Sequence, residues 1–447
     1  MYPSSGTEAS FPLFSIIPFI GILLSIALIP LVNHHFWESH YGKISLFWGL
    51  SFLLPVLFVF GFRFTAHNLA HTALLEYFPF IILLFALFTI SGGIQIKGTL
   101  VGTPKLNSYL ILLGTMLASL IGTTGAAMLL IRPIIRANKY RKHKVHIIVF
   151  FIILVANIGG ALSPLGDPPL FIGFLKGVEF FWTTQHLLVP MLIHVLFIII
   201  LFFITDTYFY NKEEVDILDN SESKKPIEIQ GKINLLLIVG VVLSVYMSGS
   251  FKFGDISIYG TDVAKQAILR DLYLLMLAYL SWNLTSKELR KSNGFTWFPI
   301  LEVAKLFAGI FITIIPVILI LKAGEKGALS SIISAVNDNG NPINMMYFWL
   351  TGILSSFLDN APTYLVFFNT AGGDAKILMT ELAQTLLAIS SGSVFFGALT
   401  YIGNAPNFMV RSIAEENGIK MPSFFGYMAW SSAILIPIFL IYSIIFF

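Results

Sequence analysis

Long apolar runs separated by short polar stretches fill almost all of this 447-residue chain. A helix needs about 20 mainly apolar residues to cross a bilayer, and most of the runs approach or exceed that length. Ten apolar segments are predicted, at about 11–32, 44–62, 73–91, 146–175, 187–209, 233–249, 271–285, 301–321, 383–415 and 422–447. The pattern predicts an all-α polytopic membrane protein.

Two further apolar regions, about 106–135 and 343–371, have a different pattern. Each is too interrupted for one crossing and too short for two full crossings of about 20 residues. Each is therefore predicted to form a re-entrant hairpin.

Two of the long apolar segments are interrupted by similar sequences. Residues 163–172 are SPLGDPPLFI, and residues 400–409 are TYIGNAPNFM. At matching positions both have a hydroxyl, a glycine, an Asp or Asn, a proline and a phenylalanine. Glycine and proline stop a helix and leave backbone carbonyls unpaired. A broken transmembrane helix is therefore predicted within 146–175 and another within 383–415.

The two hairpin tips also align with each other. Residues 122–129 are GTTGAAML and residues 358–365 are LDNAPTYL, which matches Thr123 with Asp359. The offset agrees within one residue with that of the helix breaks, so the chain is predicted to contain a duplication. Paired interruptions at matching positions of two halves indicate a transporter binding site.

Charge predicts how the halves are oriented. The basic cluster from Arg132 to Lys144 indicates a cytoplasmic loop, because cytoplasmic loops carry an excess of Lys and Arg. Tracing from that loop puts both termini outside, so the first hairpin enters from the cytoplasm and the second from outside. The two repeats then have inverted topology. The predicted organisation is a first half at 1–209, a cytoplasmic linker at 210–232 and a second half at 233–447.

Composition excludes several classes of function. The chain is 56% hydrophobic and only 11% charged, and its net charge of +3 gives no reason to expect a nucleic-acid partner. It has no cysteine, which excludes disulfides, thiolate metal sites and a cysteine nucleophile. No cofactor is predicted, and the expected partners are the lipid bilayer and a small ion or small-molecule substrate.

The candidate ion- and proton-binding residues lie at the hairpin tips and helix breaks. Carbonyl, hydroxyl, amide and carboxylate oxygens are hard ligands that suit a transported sodium ion. The candidates are Thr123, Thr124, Asn157, Ser163 and Asp167 in the first half and Asp359, Asn360, Thr363, Thr400 and Asn404 in the second. Seven further residues are predicted hinge or helix-break positions: Gly159, Gly160, Gly166, Pro168, Pro169, Gly403 and Pro406.

The two carboxylates are the strongest candidates. A carboxylate at mid-membrane costs roughly 2.5–3.5 kcal/mol on insertion scales, so Asp167 and Asp359 are expected to be functional. A carboxylate that binds either a proton or sodium would be sufficient for antiport. The alternative is structural: an Asp that caps a broken half-helix, for which the Asn at the matching position would also serve.

These motifs resemble the ion transporter superfamily. Gly122 to Ala127, Asn157 to Gly160 and Pro164 to Pro169 are similar to its hairpin and helix-break sequences, and Leu358 to Thr363 and Gly403 to Asn407 resemble the NhaD-type sodium/proton antiporter and citrate transporter branches. The resemblance implies inverted repeats, a homodimer and elevator-type movement of a transport domain. The Ser-Asn-Thr triplet of the carboxylate symporters is replaced by residues 122–124 and 358–360.

The leading hypothesis is a secondary transporter that exchanges sodium, or another monovalent cation, for protons. The alternative is a citrate or other carboxylate transporter coupled to a cation. An intramembrane aspartyl protease is disfavoured, because Asp167 lacks the first glycine of Gly-x-Gly-Asp and a duplication gives no reason for a protease. No catalytic residue is predicted, the protein is not expected to be an enzyme, and a bacterial inner membrane is the expected location.

Overall fold

Helices make up most of the fold. A computed structural model describes residues 11–213, 226–322, 334–338 and 341–447. Within these ranges, eight helices are long and apolar enough to cross a membrane. The predicted all-α polytopic class is confirmed. The number is below the ten predicted segments partly because the segments at 44–62 and 73–91 belong to one helical run, His35–Ser91.

The helices before the predicted linker are α1 (Ile17–Val32), α2 (His34–Thr72), α3 (Phe78–Ser91), α4 (Pro104–Ile121), α5 (Thr123–Ala137), α6 (Val145–Leu154), α7 (Pro168–Leu175) and α8 (Trp182–Tyr210). After it come α9 (Ile233–Ser250), α10 (Lys265–Leu284), α11 (Lys287–Ser292), α12 (Phe298–Thr313), α13 (Ile315–Lys322), α14 (Asn344–Leu358), α15 (Asn360–Thr370), α16 (Ala375–Met379), α17 (Ala383–Phe396), α18 (Ala405–Glu416) and α19 (Phe424–Phe446). Three antiparallel strand pairs connect them: β1 (Gln95–Lys97) with β2 (Glu228–Gln230), β3 (Asp255–Ile258) with β4 (Thr261–Ala264), and β5 (Asn337–Asp338) with β6 (Asn341–Pro342).

The start of α2 and the predicted linker add detail to the predicted segments. Helix α2 begins at His34, ten residues before the predicted start at 44, because the side chain of Asn33 accepts a hydrogen bond from the Phe36 amide at 2.9 Å and caps a polar first turn. Part of the predicted linker at 210–232 is ordered structure, since β2 pairs with β1. Residues 214–225 of that linker lie outside the described ranges.

The predicted hairpins are pairs of packed helices. Helices α4 and α5 are joined at Gly122, and α14 and α15 are joined at Asp359. Helix α4 alone is long and apolar enough to cross a membrane. The re-entrant path of each pair therefore stays a prediction.

Both predicted helix breaks are present. Helix α6 ends at Leu154, a short 3₁₀ helix follows at Ile158–Leu162, and α7 starts at Pro168. In the second half α17 ends at Phe396, a 3₁₀ helix follows at Gly397–Leu399, and α18 starts at Ala405. Pro168, Pro169 and Pro406 lie in the first turn of the restarting helices, where the missing proline N–H is not needed.

A buried charged cluster holds α4, α5, α6 and α8 together. Asp206 contacts Arg141 Nη2 at 2.6 Å and His146 Nε2 at 2.8 Å, and it accepts a hydrogen bond from Asn107 at 2.9 Å. The side chains of Arg141 and Asp206 are both fully buried. The sequence analysis did not single out this cluster, although Asp206 is an acid inside a long apolar run, which is a signal of a paired charge.

Removing one partner of this buried pair should be strongly destabilising. We expect Asp206→Asn to lower stability by about 3–5 kcal/mol, because it leaves the Arg141 cation in a buried site. Thermal unfolding of the purified protein in detergent measures the effect. The matched control is Glu415→Gln, which removes an exposed pair with Arg411 and should leave the melting temperature nearly unchanged. Equal shifts for the two variants would contradict this assignment.

Candidate functional site

The two helix-pair tips and the two helix breaks meet at Asp167. Thr123 Oγ1 donates to Asp167 Oδ1 at 3.1 Å, Asn404 Nδ2 donates to the same oxygen at 2.9 Å, and Asn360 Nδ2 donates to Oδ2 at 2.6 Å. Thr123 and Asn360 are the first residues of α5 and α15, while Asn404 and Asp167 immediately precede α18 and α7. One buried carboxylate thus connects four elements from both halves of the chain.

Asp167 is not acting as a helix cap. It occupies the N-cap position of α7, but its carboxylate makes no capping hydrogen bond to the helix. Its carboxylate oxygens accept hydrogen bonds from side chains of other elements instead. The alternative role, an Asp that caps a helix, fits Asp359 better, because Asp359 Oδ1 accepts a hydrogen bond from the Ala361 amide at 3.1 Å at the start of α15.

The two halves match at a single offset of 237 residues, the separation of Asp167 from Asn404. At that offset Asp359 corresponds to Gly122 and Asn360 to Thr123, so the sequence alignment of Asp359 with Thr123 was one residue off. The backbone angles agree with the new register: φ and ψ are 79° and 150° at Gly122 and 71° and 142° at Asp359. Asp359 therefore holds a conformation that normally favours glycine.

Two of the predicted ligands with a hydroxyl group, Ser163 and Thr400, have a structural role at the helix breaks. Ser163 Oγ donates to the Ser119 carbonyl, and Thr400 Oγ1 donates to the Ser356 carbonyl, each at the end of a tip helix. Each hydroxyl oxygen also accepts a backbone amide, from Leu165 or from Ile402 and Gly403. Neither hydroxyl lines the central cavity. Ser119 and Ser356, which the sequence analysis missed, are themselves 237 residues apart.

Tight packing of one backbone segment against another explains why the predicted hinge positions 166 and 403 are glycine. A Cβ on Gly166 would collide with the Gly160 carbonyl, and one on Gly403 would lie 2.6 Å from the Gly397 carbonyl. Gly159 also packs tightly, since a Cβ there would lie 2.6 Å from the Thr115 carbonyl. These contacts support tight packing at the breaks and leave a hinge movement as a prediction.

Two other candidates, Asn157 and Thr363, bind to neighbours of the Asp167 carboxylate rather than to the carboxylate itself. Asn157 Oδ1 accepts from Asn404 Nδ2 at 3.3 Å, and Asn157 Nδ2 donates to Asn407 Oδ1 at 2.7 Å. Thr363 Oγ1 donates to the Asp359 carbonyl at 2.8 Å. Asn407 was within the quoted motif but was not predicted as a site residue.

A cavity of about 420 Å³ reaches the site. Thr123, Thr124, Asp167, Asp359 and Asn404 line its inner part. Exposed Glu38 and Glu416 also line it, so the cavity reaches the protein surface at that end. Its charged lining residues are five carboxylates and one guanidinium: Glu38, Asp167, Glu302, Asp359, Glu416 and Arg132.

Helix ends add to the electrostatics of this cavity. Helices α5, α7, α15 and α18 all begin at the site, next to Gly122, Asp167, Asp359 and Asn404. Helix N-termini carry partial positive charge and stabilise nearby anions. The four N-termini therefore partly offset the energetic cost of placing two acidic side chains in a buried site.

Interrupted helices that gather polar groups inside an apolar helical bundle define a multi-pass membrane transporter. Residues 8–447 match the model of the putative citrate transport family, and the chain belongs to that family. The resemblance to the citrate transporter branch of the ion transporter superfamily is confirmed. The match assigns a transporter family rather than an enzyme family, without distinguishing sodium/proton exchange from citrate transport.

The backbone conformation of Asp359 generates a stability prediction. A non-glycine residue in this left-handed region costs about 1–2 kcal/mol. Replacing Asp359 by glycine relieves that strain, so Asp359→Gly should melt at a higher temperature than Asp359→Ala, by the equivalent of about 1 kcal/mol. Thermal unfolding in detergent measures the difference. An alanine variant at least as stable as the glycine variant would show that the backbone here is unstrained.

Proposed function

We propose that this protein is a secondary transporter that exchanges sodium, or another monovalent cation, for protons. The observation that carries the proposal is the Asp167 carboxylate, buried among neutral donors from both halves at the inner part of an acidic cavity. A carboxylate in such a place can hold a proton or a cation but cannot easily remain charged and empty. Competition between the two is the chemistry of exchange.

The oxygens around the site suit a small hard cation. Asn360 Oδ1 is buried and has no hydrogen-bond partner among the described residues. Thr124 and Asp359 line the cavity nearby, and the unwound segments before α7 and α18 supply backbone carbonyls. Oxygen donors of this kind are the ligands that alkali and other hard cations prefer. We propose sodium as the transported ion at these residues.

The charge of the cavity favours a cation over a free carboxylate substrate. Five of its six charged lining residues are acidic. Field lines inside a low-dielectric cleft concentrate ions of the opposite charge, so this cavity should attract sodium and repel a tricarboxylate. We therefore propose cation exchange ahead of citrate transport.

The exchange step follows from the two aspartates. A cation enters past Glu38 and Glu416, reaches Asp359 and Asp167, and replaces a proton, which leaves through the same cavity. The loaded site then turns to the opposite side of the membrane, where the cation leaves and a proton returns. At the carboxylate that exchanges, one positive charge replaces another in each direction, so that carboxylate is never left without a counter-charge.

The architecture that would support this cycle is the one expected from the sequence. We propose two inverted repeats, each with a re-entrant helix pair and a broken helix, and an elevator-type movement. The matching contacts at an offset of 237 residues support the duplication. A homodimer in a bacterial inner membrane, with both termini outside, remains our proposal for the assembly and its orientation.

A cation-coupled carboxylate transporter is the second candidate. The family description favours it, and so does Arg132, the one guanidinium among the described lining residues of the cavity. Arg132 Nη1 is buried and has no hydrogen-bond partner among the described residues. An arginine can bind a carboxylate through two parallel hydrogen bonds, so Arg132 is the residue that would bind citrate.

Reconstituted liposomes with an interior pH dye test the proposal. Sodium added outside should make the interior alkaline, because protons leave as sodium enters. Asp359→Asn should abolish the response, since an amide cannot exchange a proton for a cation. Asp374→Asn, which changes an exposed aspartate in the same half, is the matched control and should respond as wild type.

The same liposomes separate the two candidates. Two results together would favour the carboxylate transporter over cation exchange. The dye would not respond to sodium, lithium or potassium, and labelled citrate would be taken up by wild type but not by Arg132→Gln. A normal sodium response from Asp359→Asn would remove Asp359 from the mechanism.

A further inference from the structure

We infer that Asn407 is a positioning residue, which helps to fix the direction of the hydrogen bonds that reach Asp167 although it does not line the cavity. The inference rests on the proposed exchange function. Asn407 is fully buried and is not among the residues that line the cavity. Its side chain nevertheless begins a chain of three asparagines that ends on the carboxylate.

The backbone of the second helix break sets the direction of that chain. Asn407 Nδ2 donates to the Gly397 carbonyl at 2.7 Å and to the Thr400 carbonyl at 2.9 Å. Carbonyl oxygens can only accept, so the amide nitrogen of Asn407 must face them. The Asn407 Oδ1 atom is then turned towards Asn157.

The hydrogen bonds continue from Asn407 through Asn157 and Asn404 to the Asp167 carboxylate. Asn407 Oδ1 accepts from Asn157 Nδ2 at 2.7 Å, and the Ile152 carbonyl accepts from the same nitrogen at 2.8 Å. These two acceptors together turn Asn157 Oδ1 towards Asn404 Nδ2 at 3.3 Å. Asn404 Nδ2 also donates to the Ala156 carbonyl at 3.2 Å and to Asp167 Oδ1 at 2.9 Å. If the amides were reversed, the Asn404 oxygen would oppose the carboxylate and Asp167 would lose one of its three donors.

The inference predicts a specific change in cation affinity. Asn407→Ala should raise the sodium concentration for half-maximal exchange by about 10–100-fold, the usual effect of losing a partner that orients a ligand. Asn157→Ala should give a similar shift, and the double variant should be no worse than the poorer single variant, because both act through one chain. The liposome dye response, measured over a sodium series, gives all three values.

A matched control separates positioning from simple loss of packing. Asn369 is also buried, and its Nδ2 donates to the Leu365 carbonyl at 2.7 Å without reaching Asp167. Asn369→Ala removes a comparable hydrogen bond and should leave sodium affinity unchanged. Unchanged affinity in Asn407→Ala would overturn the inference while leaving exchange by wild type intact. If the alanine variant does not accumulate, Asn407→Ser provides the same comparison.

An independent observation carries a second inference: we infer that the ion pair between Glu76 and Lys176 closes the side of the protein opposite the cavity mouth. Lys176 Nζ lies 2.5 Å from Glu76 Oε1, and Glu76 is buried. Glu76 belongs to a π-helical turn, Ala73–Tyr77, that leads into α3. Lys176 directly follows α7, whose N-cap residue is Asp167.

Aromatic side chains lie between the cavity and this pair. The rings of Phe80 and Phe171 are 6.4 Å apart, and Phe80 also packs against Phe307 at 4.7 Å. Phe171 and Phe307 line the cavity. Glu76 lies about one helical turn before Phe80, in the turn that leads into α3, and Lys176 lies about one turn after Phe171, just past the end of α7. Movement of α7 relative to the turn that carries Glu76 would separate this pair.

Cross-linking tests this closure directly, because the chain has no native cysteine. A reversible bifunctional thiol reagent should abolish most of the sodium-driven dye response of the double variant Glu76→Cys, Lys176→Cys. A reducing agent should restore it. The two single-cysteine variants treated in the same way should be unaffected. Unchanged exchange by the cross-linked protein would overturn the inference without affecting the exchange seen in wild type.

The charge-reversed pair covers the case in which the double-cysteine variant is inactive before treatment. Glu76→Lys combined with Lys176→Glu should exchange faster than either single reversal, because the reversed ion pair can form again. Equal loss in all three variants would count against a role for the pair.

Discussion

The Asp167 carboxylate and its three donors from both halves are the interaction on which this structure depends. A charged side chain buried in a membrane bundle is tolerated only when polar groups surround it. The three donors are side chains of Thr123, Asn360 and Asn404, which lie at the starts of α5 and α15 and directly before α18. The two breaks and the two tips are therefore consequences of the same requirement: polar atoms must reach one buried point from several directions.

The asymmetry of the two halves supports the proposed exchange function. At the helix breaks the first half has Asp167 where the second has Asn404. At the tips the second half has Asp359 where the first has Gly122. One carboxylate is held by neutral donors, whereas the other is held in a strained backbone conformation at the cavity wall. Strain of this kind persists where the surrounding structure requires it, and it is commonly associated with function.

Much of this arrangement could be predicted from the sequence. Glycine and proline inside apolar runs predicted both breaks, and the duplicated motifs indicated that Asp167 and Asn404 occupy equivalent places. The tip register was wrong by one residue, because Gly122 and Asp359 share a backbone conformation and no side-chain chemistry. Apolar similarity could not reveal that match. Glu76, Asp206 and the three-asparagine chain were missed because their partners are distant in sequence, although acids inside apolar runs are a signal that could have been used.

The most direct test of the central claim is proton release on sodium binding by purified protein in weakly buffered detergent solution. Sodium should release protons from wild type, and Asp167→Asn, with no proton to exchange at the centre, should release fewer. Sodium binding without any proton release, or equal release from Asp167→Asn, would contradict the claim that one buried carboxylate binds either a proton or a cation.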